Sequence, residues 1–391
     1  MSGFDNEQDR EAVDLLQRLV AIESTNPDLV TGGSGERGIA DFAGGWLRER
    51  GFEVHRLEER SGRPSVVAIA RGTGGGKSLM LNGHIDTVTL SGYDGDPLEP
   101  TTRDGKLFGR GSYDMKSGVA AAMIAATRVA KEPHAGDIIV ALVADEEFAS
   151  EGTAEVLRSF HSDGAIVTEP SDLEVTLSHK GFVWADVIVE GRAWHGSRPD
   201  LGIDAIAKAG AFLTSLDALA GELSRNPGHP ELGPASVHAS MISGGEEMSS
   251  YPAQCRIGIE WRTIPGQDSA TVEAELRRML EGVAAMDPAF RYRLEMGLER
   301  SPFEANRDDP LVRETLRIVE DVVGRPPVIR AEPFWTDCAL YADAGIPVVL
   351  FGAAGEGAHA ATEWVSLESY RTVIRVLTDL IRTYCGAAVS G

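Results

Sequence analysis

The sequence predicts an α/β protein in which a layered domain with a largely parallel sheet is interrupted by a smaller α+β domain. Up to about residue 180, apolar strand-like runs alternate with helical segments, the order typical of a sheet covered by helices. Between residues 181 and 294 the order becomes β-α-β-β-α-β, the split pattern of ferredoxin-like domains. After residue 295 the α/β character returns. We therefore predict a main domain in two segments, 1–180 and 295–391, with an inserted domain at 181–294.

The first segment is predicted to open with two amphipathic helices, at residues 9–22 and 35–50. Two buried strands follow, VVAIAR and SLMLNGH. Small residues and helical length predict a closely packed helix for MKSGVAAAMIAATRVAK. Buried strands are also predicted for DIIVALVAD and GAIVTEP, because these runs do not alternate with polar residues.

The inserted segment is predicted to contain four strands and two helices. Its strands are GFVWADVIVEG, SVHASMISGG, QCRIGIEWRTIP and RYRLEMGLER. Its helices are residues 202–223 and the run TVEAELRRMLEGVAAM. In the last segment we predict a helix at 310–323, a strand at IPVVLFG and a C-terminal helix at 366–384.

Length and composition favour a two-domain protein that acts on a small molecule. The chain has 391 residues, more than a single core usually supports. Its formal charge is −23, which argues against nucleic acid and anionic membranes as partners. The three cysteines are widely spaced, so neither a disulfide framework nor a thiolate zinc site is predicted. A polar start and the lack of a transmembrane-length run make the cytoplasm the expected compartment.

Five side chains of the types that bind metal ions follow predicted strands or precede a predicted helix. In the sheet of an α/β domain, the carboxyl ends of the strands line one crevice. Two imidazoles and three carboxylates can hold two zinc-like ions if one carboxylate is shared, and the adjacent acid Glu146 could move protons. The pattern therefore indicates hydrolysis by a two-metal centre. The five side chains are His84, Asp114, Glu147, Glu169 and His359.

Taken singly, these residues have plain structural explanations. Asp114 would be a favoured helix N-cap, and the acids around Glu147 would suit a helix N-terminus. Asp86 faces the same way as His84 in an extended strand, so it could orient that ring through the second nitrogen. Adjacent strand residues point in opposite directions, which predicts that Glu146 reaches the site from another side than Glu147. One metal centre explains all these positions better than five coincidences do.

The motifs that carry these residues are similar to those of a zinc aminoacylase and carboxypeptidase family. They are LNGHIDT, GRGSYDMKSG, ADEE, VTEP and GAHAATEW, in the family's order and at roughly its intervals. The family includes acetylornithine deacetylase, succinyl-diaminopimelate desuccinylase, aminoacylases, carnosinase-type dipeptidases and glutamate carboxypeptidase. The resemblance implies a zinc-exopeptidase-like catalytic domain with a mainly parallel mixed sheet, and an inserted ferredoxin-like domain that acts as a lid and dimerisation surface.

By position, the resemblance makes Asp114 the bridging ligand and Glu146 the general base and acid. Asp86 becomes the residue that orients His84. The ion ligands besides Asp114 would be His84 and Glu169 for one ion, and Glu147 and His359 for the other. Glu363, in the last motif, could orient nearby groups or simply begin the next turn.

The resemblance also implies substrate contacts from the inserted domain. His195, in WHGSRP, lies where the family supplies a histidine to the substrate carbonyl, often from the other subunit of a homodimer. Arg262, in EWRTIPG, matches an arginine associated with the substrate carboxylate, and Arg198 is a second candidate for that contact. A strand-turn residue and a surface charge are the structural alternatives for His195 and Arg262.

Three departures from the family pattern lie at positions that the resemblance associates with substrate contacts. Ser249 stands where the family often has Asn, and Thr362 where it often has Asn or Asp. The common Asp-Ala-Arg triplet appears as Asp337-Cys338-Ala339, without its arginine. None of these changes removes a metal ligand, but they weaken any transfer of substrate identity.

The expected function is hydrolysis of the amide bond of an N-acyl amino acid. A metallo-carboxypeptidase or dipeptidase of the same family is the alternative, with a short peptide as substrate. A catalytically silent, metal-bound binding protein is a third possibility, which the retained Glu146 argues against. The expected cofactors are two divalent ions, zinc first and cobalt or manganese as alternatives, and the expected assembly is a homodimer through the inserted domain.

Overall fold

The computed structural model of the chain describes residues 6–386 and divides it into two compact units. The first unit extends to Leu177 and resumes at Ala305–Arg330 and from Thr336. The second unit comprises Ser178–Glu304 and Ala331–Trp335. The predicted boundary at 294 lies inside a strand, because pairing between that strand and its neighbour continues to Arg300 opposite Phe182.

The helices follow the predicted order along the chain. In the described part they are α1 (Asn6–Val20), α2 (Arg37–Arg48), α3 (Lys116–Val129), α4 (Glu151–Ser159), α5 (Ala205–Arg225), α6 (Ser269–Met286), α7 (Pro310–Val323), α8 (Cys338–Asp343) and α9 (Leu367–Gly386). None of the helices between residues 6 and 386 combines the length and apolar character needed to cross a bilayer.

The strands are more numerous and mostly short. They are β1 (Glu53–Leu57), β2 (Ser65–Ala70), β3 (Leu79–His84), β4 (Thr101–Arg103), β5 (Lys106–Phe108), β6 (Ile138–Val143), β7 (Gly164–Val167), β8 (Val175–His179), β9 (Gly181–Glu190), β10 (Ser236–Gly244), β11 (Gln254–Thr263), β12 (Arg291–Arg300), β13 (Phe303–Glu304), β14 (Ile329–Glu332), β15 (Val348–Leu350), β16 (Gly355–Glu356) and β17 (Trp364–Ser366).

The first unit is built on a mixed sheet whose strands run in the order β1-β2-β6-β3-β7-β15-β8. Its centre is parallel, because β3 pairs in parallel with both β6 and β7, and β15 pairs in parallel with β7. Strands β1 and β2 add antiparallel pairs at one side. Every residue of β3, β6 and β7 is buried, as expected for strands covered on both faces. The predicted α/β class is confirmed, with a mixed sheet whose central strands are parallel.

Helix α3 packs closely on α9 because most of its side chains are small. Thirteen of its residues are buried, including five alanines and Gly118. A Cβ atom on Gly118 would lie 2.0 Å from the carbonyl oxygen of Thr168, directly after β7. The small side chains therefore bring α3 up to the carboxyl ends of the parallel strands, where the predicted site residues lie.

The second unit has a four-stranded antiparallel sheet in the order β10-β11-β9-β12. Its elements follow each other as β9-α5-β10-β11-α6-β12, which is the β-α-β-β-α-β order that the sequence predicts. Its core is formed by apolar side chains of β9, β11, α5 and α6, among them Phe212, Ile257 and Leu276. Strand β10 is an edge strand with an almost entirely exposed surface.

Candidate metal centre

His84 is the last residue of β3 and is buried at the carboxyl end of that strand. Its Nδ1 lies 3.0 Å from the backbone oxygen of Asp86, so Nδ1 donates and Nε2 is left to act as a ligand. The carboxylate of Asp86 is farther from the ring, at 3.5 Å. Asp86 therefore lies on the Nδ1 side of the His84 ring, and its main-chain carbonyl is the closer acceptor.

Asp114 lies between the two histidines of the site. Its Oδ1 is 3.1 Å from Nε2 of His84, and its Oδ2 is 3.3 Å from Nε2 of His359. Burial opposes ionisation of this carboxyl group, but hydrogen bonds from His359 and His84 outweigh it and keep the pKa of Asp114 below its usual value. Met115, not Asp114, is the N-cap of α3, so the helix-capping explanation for Asp114 does not apply.

Glu147 and His359 complete the second half of the site. Nε2 of His359 lies 3.0 Å from Oε2 of Glu147. Burial, followed by the charge of Asp114, raises the pKa of Glu147 to about 7. Hydrogen bonds to Asp114 and Glu147 raise the pKa of His359 to about 10. Asp114 and Glu147 are therefore both held within 3.3 Å of the His359 ring.

The prediction that strand alternation separates Glu146 from Glu147 is wrong. Strand β6 ends at Val143, so both glutamates lie in the following loop and not in the strand. Their positions are set instead by Asp86, whose Oδ1 accepts from the backbone N–H of Glu146 at 3.2 Å and whose Oδ2 accepts from that of Glu147 at 3.3 Å. One buried carboxylate therefore positions the backbone of both acids.

Glu169 follows β7 and closes the first half of the site around His84. Its Oε1 is 3.5 Å from Nε2 of His84. Burial raises the pKa of Glu169 well above its usual value, and the nearby His84 opposes that shift. The structure therefore brings together all five side chains that the sequence selected.

The donor atoms form two groups suited to two divalent ions. Ligand atoms within each group lie within 4.8 Å of one another. Oε1 of Glu147 is buried without a hydrogen-bond partner among the described residues, as expected of an atom reserved for a cation. Imidazole and carboxylate donors match the preferences of zinc and of related divalent ions. The groups are His84, Asp114 and Glu169, and Asp114, Glu147 and His359.

Glu146 belongs to neither group of ligands. Burial and the neighbouring charge of Glu169 raise the pKa of Glu146 well above its usual value. The carboxyl group of Glu146 therefore holds a proton more readily than an exposed glutamate does.

A buried polar network behind the centre holds Asp86 in place. Nδ2 of Asn26 donates to Asp86 at 2.8 Å and to Asp145 at 3.1 Å. Arg63 donates to Asp145 at 2.9 Å and to both oxygens of Glu36 at 2.7 Å. The sequence alone does not identify Asn26, Arg63 and Glu36 as part of the site. Single polar residues in loops and at helix ends show no periodic pattern that would distinguish them.

Asp337, a predicted substrate-reading residue, lies in the first unit directly before α8 and is buried. Its Oδ2 accepts a hydrogen bond from Oγ1 of Thr153 at 2.6 Å. Burial raises the pKa of Asp337 to about 6.

The other predicted substrate residues lie in the second unit, where His195 and Arg198 share one turn and Ser249 lies on a segment hydrogen-bonded to it. Nδ1 of His195 is 2.8 Å from Oγ of Ser197, and the backbone N–H of Arg198 donates to the carbonyl of His195. The carbonyl of Ser249 accepts from the backbone of Gly196. The side chain of Arg198 is exposed and pairs with Asp200. Elsewhere in this unit, Arg262 pairs with Glu260 and lies over the ring of Phe182.

We expect Gly352→Ala to destabilise the fold and weaken metal binding. Gly352 follows β15, and a Cβ atom there would lie 2.0 Å from the carbonyl oxygen of Glu169. The backbone of Gly352 or of Glu169 must then shift, which should lower the free energy of unfolding by about 1–3 kcal/mol and displace a predicted metal ligand. Denaturant unfolding and metal content per chain measure the two effects. The matched control is Gly45→Ala in α2, where a Cβ atom meets nothing within 4 Å. Equal stability and equal metal content of the two variants would contradict this prediction.

Known proteins resemble this chain over most of its length. The model of peptidase family M20/M25/M40 matches residues 80–383. An acetylornithine deacetylase from Myxococcus xanthus is 30% identical over 383 residues, covering 95% of this chain and 97% of that protein. The N-formyl-4-amino-5-aminomethyl-2-methylpyrimidine deformylase of Bacillus subtilis strain 168 is 27% identical, covering 97% and 96%.

A solved structure shares the fold. The Bacillus subtilis YXEP protein, described as a dinuclear metal binding peptidase from the M20 family, superposes with a TM-score of 0.74 at 17% identity, covering 98% of this chain and 99% of that one. The family expected from the motifs is confirmed. Since the family model spans most of the sequence and a relative reaches 30% identity along nearly its whole length, the chain belongs to peptidase family M20/M25/M40 and is a hydrolase of that family.

Proposed function

We propose that this protein hydrolyses the amide bond of an N-acyl amino acid at a centre that holds two divalent ions. The observation that carries the proposal is Asp114, whose two carboxylate oxygens each face a different histidine. One carboxylate shared between two groups of ligands is the arrangement that a two-metal hydrolase requires. The ions would be held by His84, Asp114 and Glu169, and by Asp114, Glu147 and His359.

Two such ions, zinc first and cobalt or manganese as alternatives, would supply Lewis acidity that polarises an amide carbonyl and acidifies water. Glu146 accepts the proton of the attacking water and later delivers it to the leaving amine. Asp86 keeps Glu146 in position through the backbone N–H of that residue.

The second unit would supply the contacts to the substrate. In this proposal His195 donates to the oxyanion that forms at the carbonyl, and Arg262, with Arg198, binds the substrate carboxylate. Ser249, together with Asp337 of the first unit, would contact the rest of the substrate. These roles come from the family resemblance of their motifs, and the net charge of −23 also suits a small ligand better than nucleic acid or membrane.

Deacylation is preferred because the relatives reported above include a deacetylase and a deformylase. Cleavage of a dipeptide or of a C-terminal residue is the alternative, since the family and the solved YXEP structure are described as peptidases. A silent metal-binding protein would have no use for Glu146, whose carboxyl group lies outside both ligand groups.

The deciding experiment measures metal content and amine release together. Metal-free protein is reconstituted with zinc, cobalt or manganese and tested on N-acetyl, N-formyl and N-succinyl amino acids and on dipeptides. We expect about two ions per chain and chelator-sensitive turnover that is fastest on N-acyl amino acids. Faster turnover of dipeptides would favour the peptidase reading. Full metal occupancy without turnover of any substrate would favour the silent binding protein.

We also propose that the protein is a homodimer formed through the second unit. Strand β10 is an edge strand that exposes Met241 and Ile242, at 75% and 57% of their surfaces. An exposed apolar edge of this kind is suited to pairing with a second copy.

We expect Met241→Glu to shift the sedimentation of the protein from dimer to monomer, because the charge would be buried without a partner at the edge of the sheet. The control is Met286→Glu, at an equally exposed methionine at the end of α6. A wild-type monomer, or a dimer in both variants, would contradict the proposed interface.

The cytoplasm is the compartment we propose. All three cysteines, Cys255, Cys338 and Cys385, are buried and free of disulfides, as in most proteins of reducing compartments. Fractionation of cells that produce the protein would test this proposal, and recovery outside the cytoplasm would reject it.

A further inference from the structure

Glu363 is a buried carboxylate that accepts four hydrogen bonds around Asp114. Its Oε1 accepts from the backbone N–H groups of Tyr113 at 2.9 Å and Asp114 at 3.0 Å. Its Oε2 accepts from the backbone N–H of Gly111 and from Nη1 of Arg110, both at 2.9 Å. Only 1% of the Glu363 side chain is exposed. The loop that carries the shared carboxylate is therefore wrapped around this one side chain.

Arg110 joins that loop to the loop that carries His359. Its guanidinium donates in three directions, to Glu363, to the carbonyl of Ala360 at 2.9 Å and to the carbonyl of Thr89 at 3.1 Å. Ala360 is the immediate neighbour of His359. The planar fork of arginine can make these contacts together, whereas the single ammonium of lysine cannot match their geometry. We refer to Arg110 and Glu363 as the clamp.

The loop that carries His359 depends on such support. His359 is 56% exposed and has a φ of +62°, in the left-handed region that side chains with a Cβ seldom occupy. The loop is also tight, because a Cβ atom on Gly357 would lie 1.9 Å from the carbonyl oxygen of Thr362. A strained and exposed conformation persists only where neighbouring contacts hold it.

The first group of ligands has a different kind of support. His84 ends β3, which is hydrogen-bonded on both sides by parallel strands, and the His84 side chain is 1% exposed. Glu169 lies two residues after the end of β7 in the same sheet. The sheet therefore supports His84 and Glu169, the two ligands that belong to the first group alone, whereas Arg110 contacts the loop that carries His359.

We propose that Arg110 of the clamp, through the loop that carries His359, sets the affinity for the second ion, held by Asp114, Glu147 and His359, much more strongly than the affinity for the first. This inference rests on the two-ion function proposed above. Arg110 is a positioning residue in this proposal, because it reaches the ion only through the backbone of the loop that carries His359.

The test is a metal titration that does not depend on turnover. Chelator-stripped wild type, Arg110→Gln and Arg110→Lys are titrated with zinc in a calorimeter, and bound zinc is counted after dialysis. We expect the Kd of the second ion to rise by about tenfold to a hundredfold in Arg110→Gln, the range known for groups that support ligands. The Kd of the first ion should rise much less, because neither the sheet contacts of His84 nor the hydrogen bonds from Tyr113 and Asp114 to Glu363 involve Arg110.

Arg110→Lys separates positioning from a mere loss of stability. Lysine keeps a cation beside the buried Glu363, so the fold is retained, but the contact to Ala360 is lost and second-ion affinity still falls. Ile318→Val in α7 is the stability control, since it trims a buried core side chain and leaves both ligand groups intact. We expect this variant to bind both ions as wild type does.

The possible results are distinct. Unchanged affinity for both ions in either folded Arg110 variant overturns the proposal, and so does an equal loss of both ions. A wild-type protein that binds fewer than two ions rejects the two-ion function itself, and the clamp with it. Selective loss of the second ion in the Arg110 variants but not in Ile318→Val supports the proposal.

Discussion

We expect Glu146→Gln to lower kcat for amide hydrolysis by about 10²- to 10⁴-fold, the range for loss of a general base. The substituted amide keeps the shape of the side chain but cannot accept the proton of the attacking water. Metal content should remain at the wild-type level, because Glu146 lies outside both groups of ligands. Steady-state kinetics on the best substrate of the panel, with metal analysis of the same samples, measures both effects.

A second readout concerns stability without metal. Burial raises the pKa of Glu146, so the folded protein retains a proton that the unfolded chain loses above about pH 4.5. The metal-free wild type therefore loses stability as the pH rises from about 4.5 towards the raised pKa. Glutamine removes this contribution, so the metal-free variant should melt at a higher temperature than the metal-free wild type at neutral pH.

The matched control for this substitution is Glu155→Gln in α4. Glu155 is also buried, with a pKa raised by burial, and it accepts a hydrogen bond from the backbone of Glu59. We expect its kcat to stay within about threefold of wild type, because Glu155 belongs to neither group of ligands and takes no part in the proposed proton transfer. If Glu146→Gln kept a rate within tenfold of wild type, its proposed role as the base would be lost.

The second large effect is expected from Asp114→Ala, which should empty both halves of the centre. Asp114 is the only residue common to the two groups of ligands in the described chain. Without it, the affinity for each ion should fall by more than about a hundredfold, beyond the range for groups that only support ligands. Turnover should fall to the background rate. Metal analysis after dialysis and calorimetric titration with zinc would measure the loss.

His359→Ala provides the comparison that makes this prediction specific. His359 belongs to one group only, so this variant should lose one ion and keep the other. The shared role of Asp114 would be contradicted if Asp114→Ala still bound one ion with wild-type affinity, or if His359→Ala lost both.

The five ligand-type residues could be predicted from the sequence, because each of them follows or precedes a helix or strand that the sequence also predicts. His84 ends a strand and Glu169 follows one, and both strands read as unbroken apolar runs. Parallel strands bring their carboxyl ends to one edge of a sheet, so side chains placed there meet. This rule predicts that residues far apart in sequence lie close together in the fold, even when their contacts are not known.

The supporting residues could not be found in the same way. Asn26 reaches Asp86 from 60 positions away, and Arg110 reaches Glu363 across 253 positions. Each of these contacts joins isolated polar residues, which have no periodicity and are individually no different from surface charges. Glu146 also differs from its predicted position, because β6 ends at Val143 although the apolar run that predicts it leads straight into the acids.

By itself, the sequence determined the α/β class, the inserted β-α-β-β-α-β segment and the five ligand-type residues. Apolar periodicity encodes which segments are buried, and burial together with element order restricts the possible topologies to a few. Only the tertiary structure decided that Asp114 lies between two histidines and that Asp86 positions both Glu146 and Glu147. It alone also showed that Arg110 and Glu363 hold the loop of His359, since such geometry depends on hydrogen bonds between distant loops, whose partners are chosen when the chain folds.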